Sequence, residues 1–184
     1  MTQTAPLAQT AWPDVPACHG WLSLDRRGGW RLKGEVVRHE GLIRFINANY
    51  GPDGCGRWRV QNGPQQVFVD LEYTPWVWRL GEGGNLLAHT GQAAGPVEAV
   101  WVDDEGAVLL LAGPGIGVLD DRDLAAFLDE CVGADGAPAD EALFAALMCG
   151  DDVCLSWRDC QLDTIRRGEV EQYFGYLASS ASGA

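Results

Sequence analysis

Cys55 stands between Gly54 and Gly56, so its immediate neighbours leave the thiol open, and an open thiol is the first requirement of nucleophilic catalysis. Such chemistry also needs a base and an orienting acid, which His39 or His89 and Asp70 could supply. Cys55, His89 and Asp70 are therefore the candidate catalytic residues of a small hydrolase or transferase. The two glycines give exposure but no neighbouring cation to lower the thiol pKa. Serine chemistry has no comparable outline, because no Gly-x-Ser-x-Gly elbow occurs. Cys149, Cys154 and Cys160 are separated by four and five residues, without the paired close spacing of zinc ribbons and without a nearby histidine. They read as inert thiols, and no metal site is expected. Gly113-Pro114-Gly115-Ile116-Gly117 lacks the Gly-Lys-Ser/Thr ending of a phosphate loop and runs into Asp120-Asp121, which would repel a phosphate. A glycine-rich turn leading to a capped helix is expected there, and no cofactor.

A second kind of chemistry, recognition of an anionic or planar ligand, is suggested by arginines beside aromatics in the stretch RWRVQNGPQQVFVDLEYTPWVWRL from Arg57 to Leu80. Apolar and polar residues alternate on both sides of Asn62-Gly63-Pro64, which is the pattern of a β-hairpin. Pro64 has no N–H to close an Asn-Gly turn, so a loop of four residues, Asn62 to Gln65, is expected. That register sets Trp58 opposite Val69 on the apolar face. On the outer face it sets Arg59 opposite Phe68 and Arg57 opposite Asp70, a cation–π contact and an ion pair. Arg57, Arg59 and Phe68, with Tyr73 and Trp76 near the far end, are the candidate binding residues. Trp76 and Trp78 share parity, so both should be buried or neither.

Elements that could position these side chains follow from the same periodicities. Trp21–Asp25 and Trp30–Gly34 alternate around Arg26-Arg27-Gly28-Gly29 and read as a first hairpin. Leu42, Phe45, Ile46, Asn49 and Tyr50 recur at helical spacing before Gly51-Pro52, which predicts a short amphipathic helix over 40–50. Strands are predicted at 76–80, 86–90, 97–103 and 107–112, helices at 121–131 and 140–148, then a strand at 153–158 and a helix at 169–174. The fold class is thus α+β. A mostly antiparallel sheet domain over 18–119 is packed by the helix at 40–50 and followed by a smaller helical part over 120–177. Residues 1–17 and 178–184 lack periodicity and read as a mobile lead-in and a disordered tail.

Composition narrows the function classes. With 184 residues, 47% of them apolar, the chain can build a core without disulfides, and its six cysteines are expected as reduced thiols in the cytoplasm. No apolar run is long enough to span a bilayer, and no secretory leader pattern opens the chain. The net charge of −13 is concentrated late: residues 1–79 hold nine Lys or Arg against seven Asp or Glu, whereas residues 80–184 hold four against nineteen. Nucleic acid and anionic membranes are disfavoured as partners of so acidic a second half.

The blocks WLSLDRRGGWRLKGE, FINANYGPDGCGRW, QNGPQQVFVDLEYTPWVWRL and LLAHTG resemble an uncharacterised proteobacterial family, a domain of unknown function, over about residues 20–130. The recognisable positions include Trp21, Arg26, Arg27, Asn49, Tyr50, Gly56, Arg57, Trp58, Asn62, Gly63, Pro64, Asp70, Tyr73 and His89. The resemblance implies no activity, and relatives are expected to carry an aromatic where this chain has Arg59. The favoured expectation is a non-enzymatic cytoplasmic binding module that uses the outer face of the 57–72 hairpin for a protein or a small anionic or planar ligand. The enzyme built on Cys55 or His89 is the alternative. A third reading is self-association, the acidic second half of one copy against the less acidic first half of another.

Overall fold

The computed structural model describes residues 15–180. Most of the expected lead-in (1–14) and of the expected tail (181–184) lies outside those residues. The described residues form two compact units, one of residues 15–25, 29–72 and 176–180, the other of residues 26–28 and 73–175.

The first unit holds strands β1 (Ala17–Leu24), β2 (Trp30–Leu32), β3 (Glu35–Val36), β4 (Tyr50–Pro52), β5 (Trp58–Asn62) and β6 (Gln65–Leu71), in the sheet order β3-β2-β1-β6-β5-β4. Alternation decides its two faces: Leu22, Leu24, Val60, Val67 and Val69 are all at most 1% exposed and share the inner one. Helix α1 (Glu40–Asn49) packs on this sheet, burying Ile46. His39 caps it, its Nδ1 accepting from the Leu42 N–H at 3.2 Å. Trp30 Nε1 donates to Asn47 Oδ1 at 2.7 Å, and Trp30, Tyr50 and Trp58 continue as a ladder of ring contacts at 5.1 and 4.9 Å.

The β5–β6 hairpin has the expected register, with Trp58 opposite Val69, Arg59 opposite Phe68 and Val60 opposite Val67. Its loop is shorter than expected, because Asn62 also pairs with Gln65 and leaves only Gly63 and Pro64 in the turn. Gly63 has φ +58°, and proline follows with its fixed negative φ, the signs of a type II′ turn. Proline fits there because the second central residue of the turn donates no hydrogen bond.

The second unit contains β7 (Trp76–Leu80), β8 (Leu86–Ala88), β9 (Val97–Asp103), β10 (Val108–Ala112), β11 (Gly115–Leu119), α2 (Leu124–Asp129), β12 (Cys131–Gly133), α3 (Glu141–Cys149), β13 (Leu155–Trp157), β14 (Cys160–Ile165) and α4 (Val170–Phe174). Its strands form one sheet in the order β12-β13-β14-β9-β10-β11-β7-β8. Asp120 accepts from the Arg122 N–H to start the helical turn before α2, and Asp140 caps α3 by accepting from the Leu143 N–H at 2.9 Å.

Two mixed sheets replace the single antiparallel one that was expected. β1 runs parallel to β6, β11 to β7 and β14 to β9. Alternation identifies a strand and its faces but not its neighbour, and strands far apart in the chain pair here without a hairpin to announce them. The segment after residue 119 carries α2, α3 and α4, and its strands β12, β13 and β14 extend the second sheet. Of Gly113–Gly117, expected as a turn, Gly113 and Pro114 do turn, but Gly115–Leu119 is a strand between β10 and β7. Among the described residues, no helix is long and apolar enough to cross a membrane.

Candidate functional site

Opposite the α1-covered face, the first sheet presents the residues of the other parity: Trp21 and Ser23 on β1, Phe68 and Asp70 on β6, Arg59 on β5, and Arg57 just before it. Because β6 lies between β1 and β5, both neighbours reach Phe68. The His19 imidazole stacks on its ring at 4.4 Å and an interplanar angle of 7°, while the Arg57 guanidinium lies 4.6 Å from its centroid. Phe68 is consequently only 4% exposed although it faces outward. Beside this stack, Lys33 places its Nζ 3.5 Å from the Trp21 ring.

Partners on this face differ from those expected from register alone. Arg57 turns to Asp53, at 2.7 Å, and not to Asp70. Asp53 also accepts from the backbone N–H groups of Cys55 and Arg57, at 2.8 and 3.1 Å. Burial is the largest single influence on the Asp53 carboxyl and pushes its pKa up, but the Cys55 and Arg57 bonds together outweigh it and hold it below the usual value. Asp70 instead accepts from Ser180, from its N–H at 3.0 Å and its hydroxyl at 2.8 Å. Arg59 lies opposite Phe68, yet its guanidinium donates to Gln61 Oε1 at 2.7 Å, and the cation over Phe68 is Arg57. Among the described residues, neither Arg59 nor Lys33 is ion-paired with a carboxylate.

Tyr73 and Trp76 belong to the second unit and are both buried. Tyr73 donates its hydroxyl to the buried Asp103 carboxylate at 2.6 Å, and the guanidiniums of Arg26 and Arg167 lie 5.0 and 4.5 Å from its ring. Trp76 stacks on Trp78 at 6.0 Å, and both indoles are buried, as their shared parity requires. Their N–H groups donate to the Pro114 and Leu110 carbonyls at 3.0 and 2.9 Å.

The candidate catalytic residues divide between the units: Cys55 and Asp70 lie in the first, His89 in the second. Cys55 is exposed. His89 packs against Trp76, its Nδ1 accepting from the Val77 N–H at 3.3 Å. All six cysteines are free thiols. Burial pushes Cys131 up to about 12, with Glu130 adding to the effect, and it raises Cys18 and Cys160 as well, so these three resist ionisation. Among the described residues, no group of three or more His, Cys, Asp or Glu side chains could hold a metal ion.

His19, Trp21 and Lys33 join the face although none is among the binding candidates expected from sequence. Trp21 could have been, since it shares parity with Ser23 on a recognised strand. His19 could not, because its place over Phe68 depends on the parallel β1–β6 pairing.

Comparison with known proteins adds a family without an activity. The family model DUF2944, described as "Protein of unknown function (DUF2946)", matches residues 1–181. No curated protein matches the chain. A crystal structure of a DUF1285 family protein from Silicibacter pomeroyi DSS-3 is similar at 13% identity and a TM-score of 0.49, covering 72% of this chain and 80% of that one. Another, from Shewanella baltica OS155, is similar at 15% identity and a TM-score of 0.45, covering 58% of this chain and 89% of that one.

Proposed function

We propose, from the premise that the chain belongs to the DUF2944 family of proteins of unknown function, that it is a non-enzymatic binding module for a small planar anion. Its working surface is the outer face of the first sheet. The observation that carries this reading is the combination of two cations without carboxylate partners, Lys33 and Arg59, with ring faces on the same side of the sheet. A planar anion could stack on the exposed His19 imidazole while its charge meets a nearby cation, and the cost of desolvating a paired guanidinium would not arise. Charge distribution supports the choice of unit. The described residues of the first unit hold six Lys or Arg against six Asp or Glu, whereas the second holds seven against nineteen and would repel an anion.

Isothermal titration calorimetry with benzoate, salicylate and adenosine monophosphate tests the proposal. Saturable binding of at least one is expected, weaker by about tenfold in Arg59→Ala or Lys33→Ala and weaker again for the non-planar cyclohexanecarboxylate. Absence of saturable binding for the whole panel, or affinities indifferent to both substitutions, refutes it.

A further inference from the structure

Two clefts in the second unit have walls of opposite character and meet. One, of about 330 Å³, lies between α2, α3 and the β9–β10 hairpin, and its lining is mainly apolar, with Val108, Leu124, Leu128, Phe144 and Met148, and with Asp140 and Glu141 at the start of α3. The other, of about 420 Å³, is bounded by Asp103, Asp104, Arg166 and Glu169 near the end of β14. Val102 and Met148 line both, so the apolar and the acidic cleft adjoin at these two side chains and together form a groove. Met148 is 38% exposed where the two clefts adjoin, so its flexible thioether side chain is open to a partner there.

Charge decides what could. The groove as a whole is lined by five carboxylates, Asp103, Asp104, Asp140, Glu141 and Glu169, against the single guanidinium of Arg166. Asp103 is buried and engaged by Tyr73, and Asp140 caps α3. Asp104 and Glu169 are exposed; Asp104 accepts from the Arg167 N–H at 2.8 Å while the Arg167 guanidinium is taken by Glu105 at 2.6 Å, and the Arg166–Glu169 contact is long, 3.9 Å between side chains 80% and 60% exposed, so it does little to neutralise this end. An anionic lipid or acidic peptide would be repelled by these carboxylates and by the net acidity of the unit.

We infer that this groove docks a basic amphipathic peptide segment of a partner protein. One or two apolar side chains of the peptide enter between α2 and α3 against Met148, and a lysine or arginine beside them meets Asp104 and Glu169. The apolar cleft is large enough for one or two side chains, which makes the contact an anchor point in an otherwise polar docking. The inference is independent of the anion-binding face of the first unit, which uses other residues and the opposite charge.

Fluorescence anisotropy of a labelled leucine–lysine amphipathic peptide against the full chain tests this. A leucine–glutamate counterpart and a lysine–glutamine peptide without apolar residues are the controls. The leucine–lysine peptide is expected to bind at least about tenfold more tightly than either control, with affinity falling as salt rises. Met148→Lys, at an exposed position that leaves the core intact, should weaken it by about tenfold, and D104N/E169Q should flatten the salt dependence. Equal binding of all three peptides, no binding of the leucine–lysine peptide, or indifference to Met148→Lys overturns the inference. So does sedimentation showing self-association that Met148→Lys abolishes, which would give the groove to a second copy of the chain.

Discussion

Asp120 is fully buried, and three donors from Arg122 converge on it: the backbone N–H at 3.0 Å, Nε at 2.8 Å and one terminal nitrogen in closer contact. Arg79 adds a second guanidinium at 3.8 Å. Burial alone is the largest influence on the carboxyl and would raise its pKa, but the Arg122 bonds and the two positive charges together hold it below the ordinary value. A carboxylate lowered in the folded state stabilises the protein above its unfolded pKa of about 4, and that contribution is lost as pH falls through the lower folded value. Asp120→Asn is therefore expected to cost roughly 1–3 kcal/mol at neutral pH, with the deficit shrinking below about pH 4. Urea midpoints of both proteins between neutral pH and pH 3 measure this, and a deficit of equal size at both ends would refute the ion-pair account. Residue type alone did not reveal such choices of partner. Arg57 lies across from Asp70 in the outer-face pattern, yet Asp53, four residues earlier, is closer and already fixed by two backbone bonds.

β11 shows how tertiary contact decides an element that local sequence describes poorly. With two glycines in five residues it reads as a turn, but an ideal Cβ on Gly117 would lie 2.4 Å from Trp78 Nε1 and 2.8 Å from Trp76 Cβ. Glycine is there so that the parallel neighbour β7 can bring its stacked indoles against the strand, not because the backbone bends. Gly117→Ala is accordingly expected to destabilise the second unit by about 1–3 kcal/mol or more, displacing Trp78 from its bond to the Leu110 carbonyl. Thermal unfolding with a red shift of tryptophan emission reports it; an unchanged midpoint would mean that the strands can separate at no cost. Elsewhere the local signals sufficed. The β5–β6 register followed from alternation around Asn62-Gly63-Pro64, and α1 from apolar spacing between His39 and Gly51. The three parallel pairings and β14 were not legible, because a strand such as CQLDTI shows its parity without showing that it lies beside Val100–Asp103. The candidate face inherited the same limit, since Arg57, Arg59 and Phe68 were placed by a hairpin and His19 by a parallel pairing.

At the scale of the molecule, sequence order and spatial grouping part company. Apart from residues 26–28, which belong to the second unit, the chain builds the first unit up to Glu72, then the second, and returns to the first at Tyr176. The returning segment is bonded at several points to the first unit. The Leu177 N–H donates to the Gly56 carbonyl at 2.8 Å, the Ala178 carbonyl accepts from the Leu71 N–H at 2.7 Å, and Ser180 holds Asp70 through two bonds. These contacts lie at the C-terminal end of β6 and just before β5, so the final residues before Ala181 secure that end of the two strands that carry the proposed anion-binding face. Each such bond contributes about 0.5–1.5 kcal/mol net, and removing the donors would also leave the Asp70 carboxylate without its partners. Deleting residues 177–184 is therefore expected to lower the stability of the first unit by roughly 2–5 kcal/mol, whereas deleting 181–184 should change little. Urea unfolding followed by tryptophan fluorescence separates the two truncations. A longer truncation as stable as the shorter would mean that the return segment rests on the first unit without stabilising it, and Asp70 would then be free to pair with Arg57 as the hairpin register alone would have it.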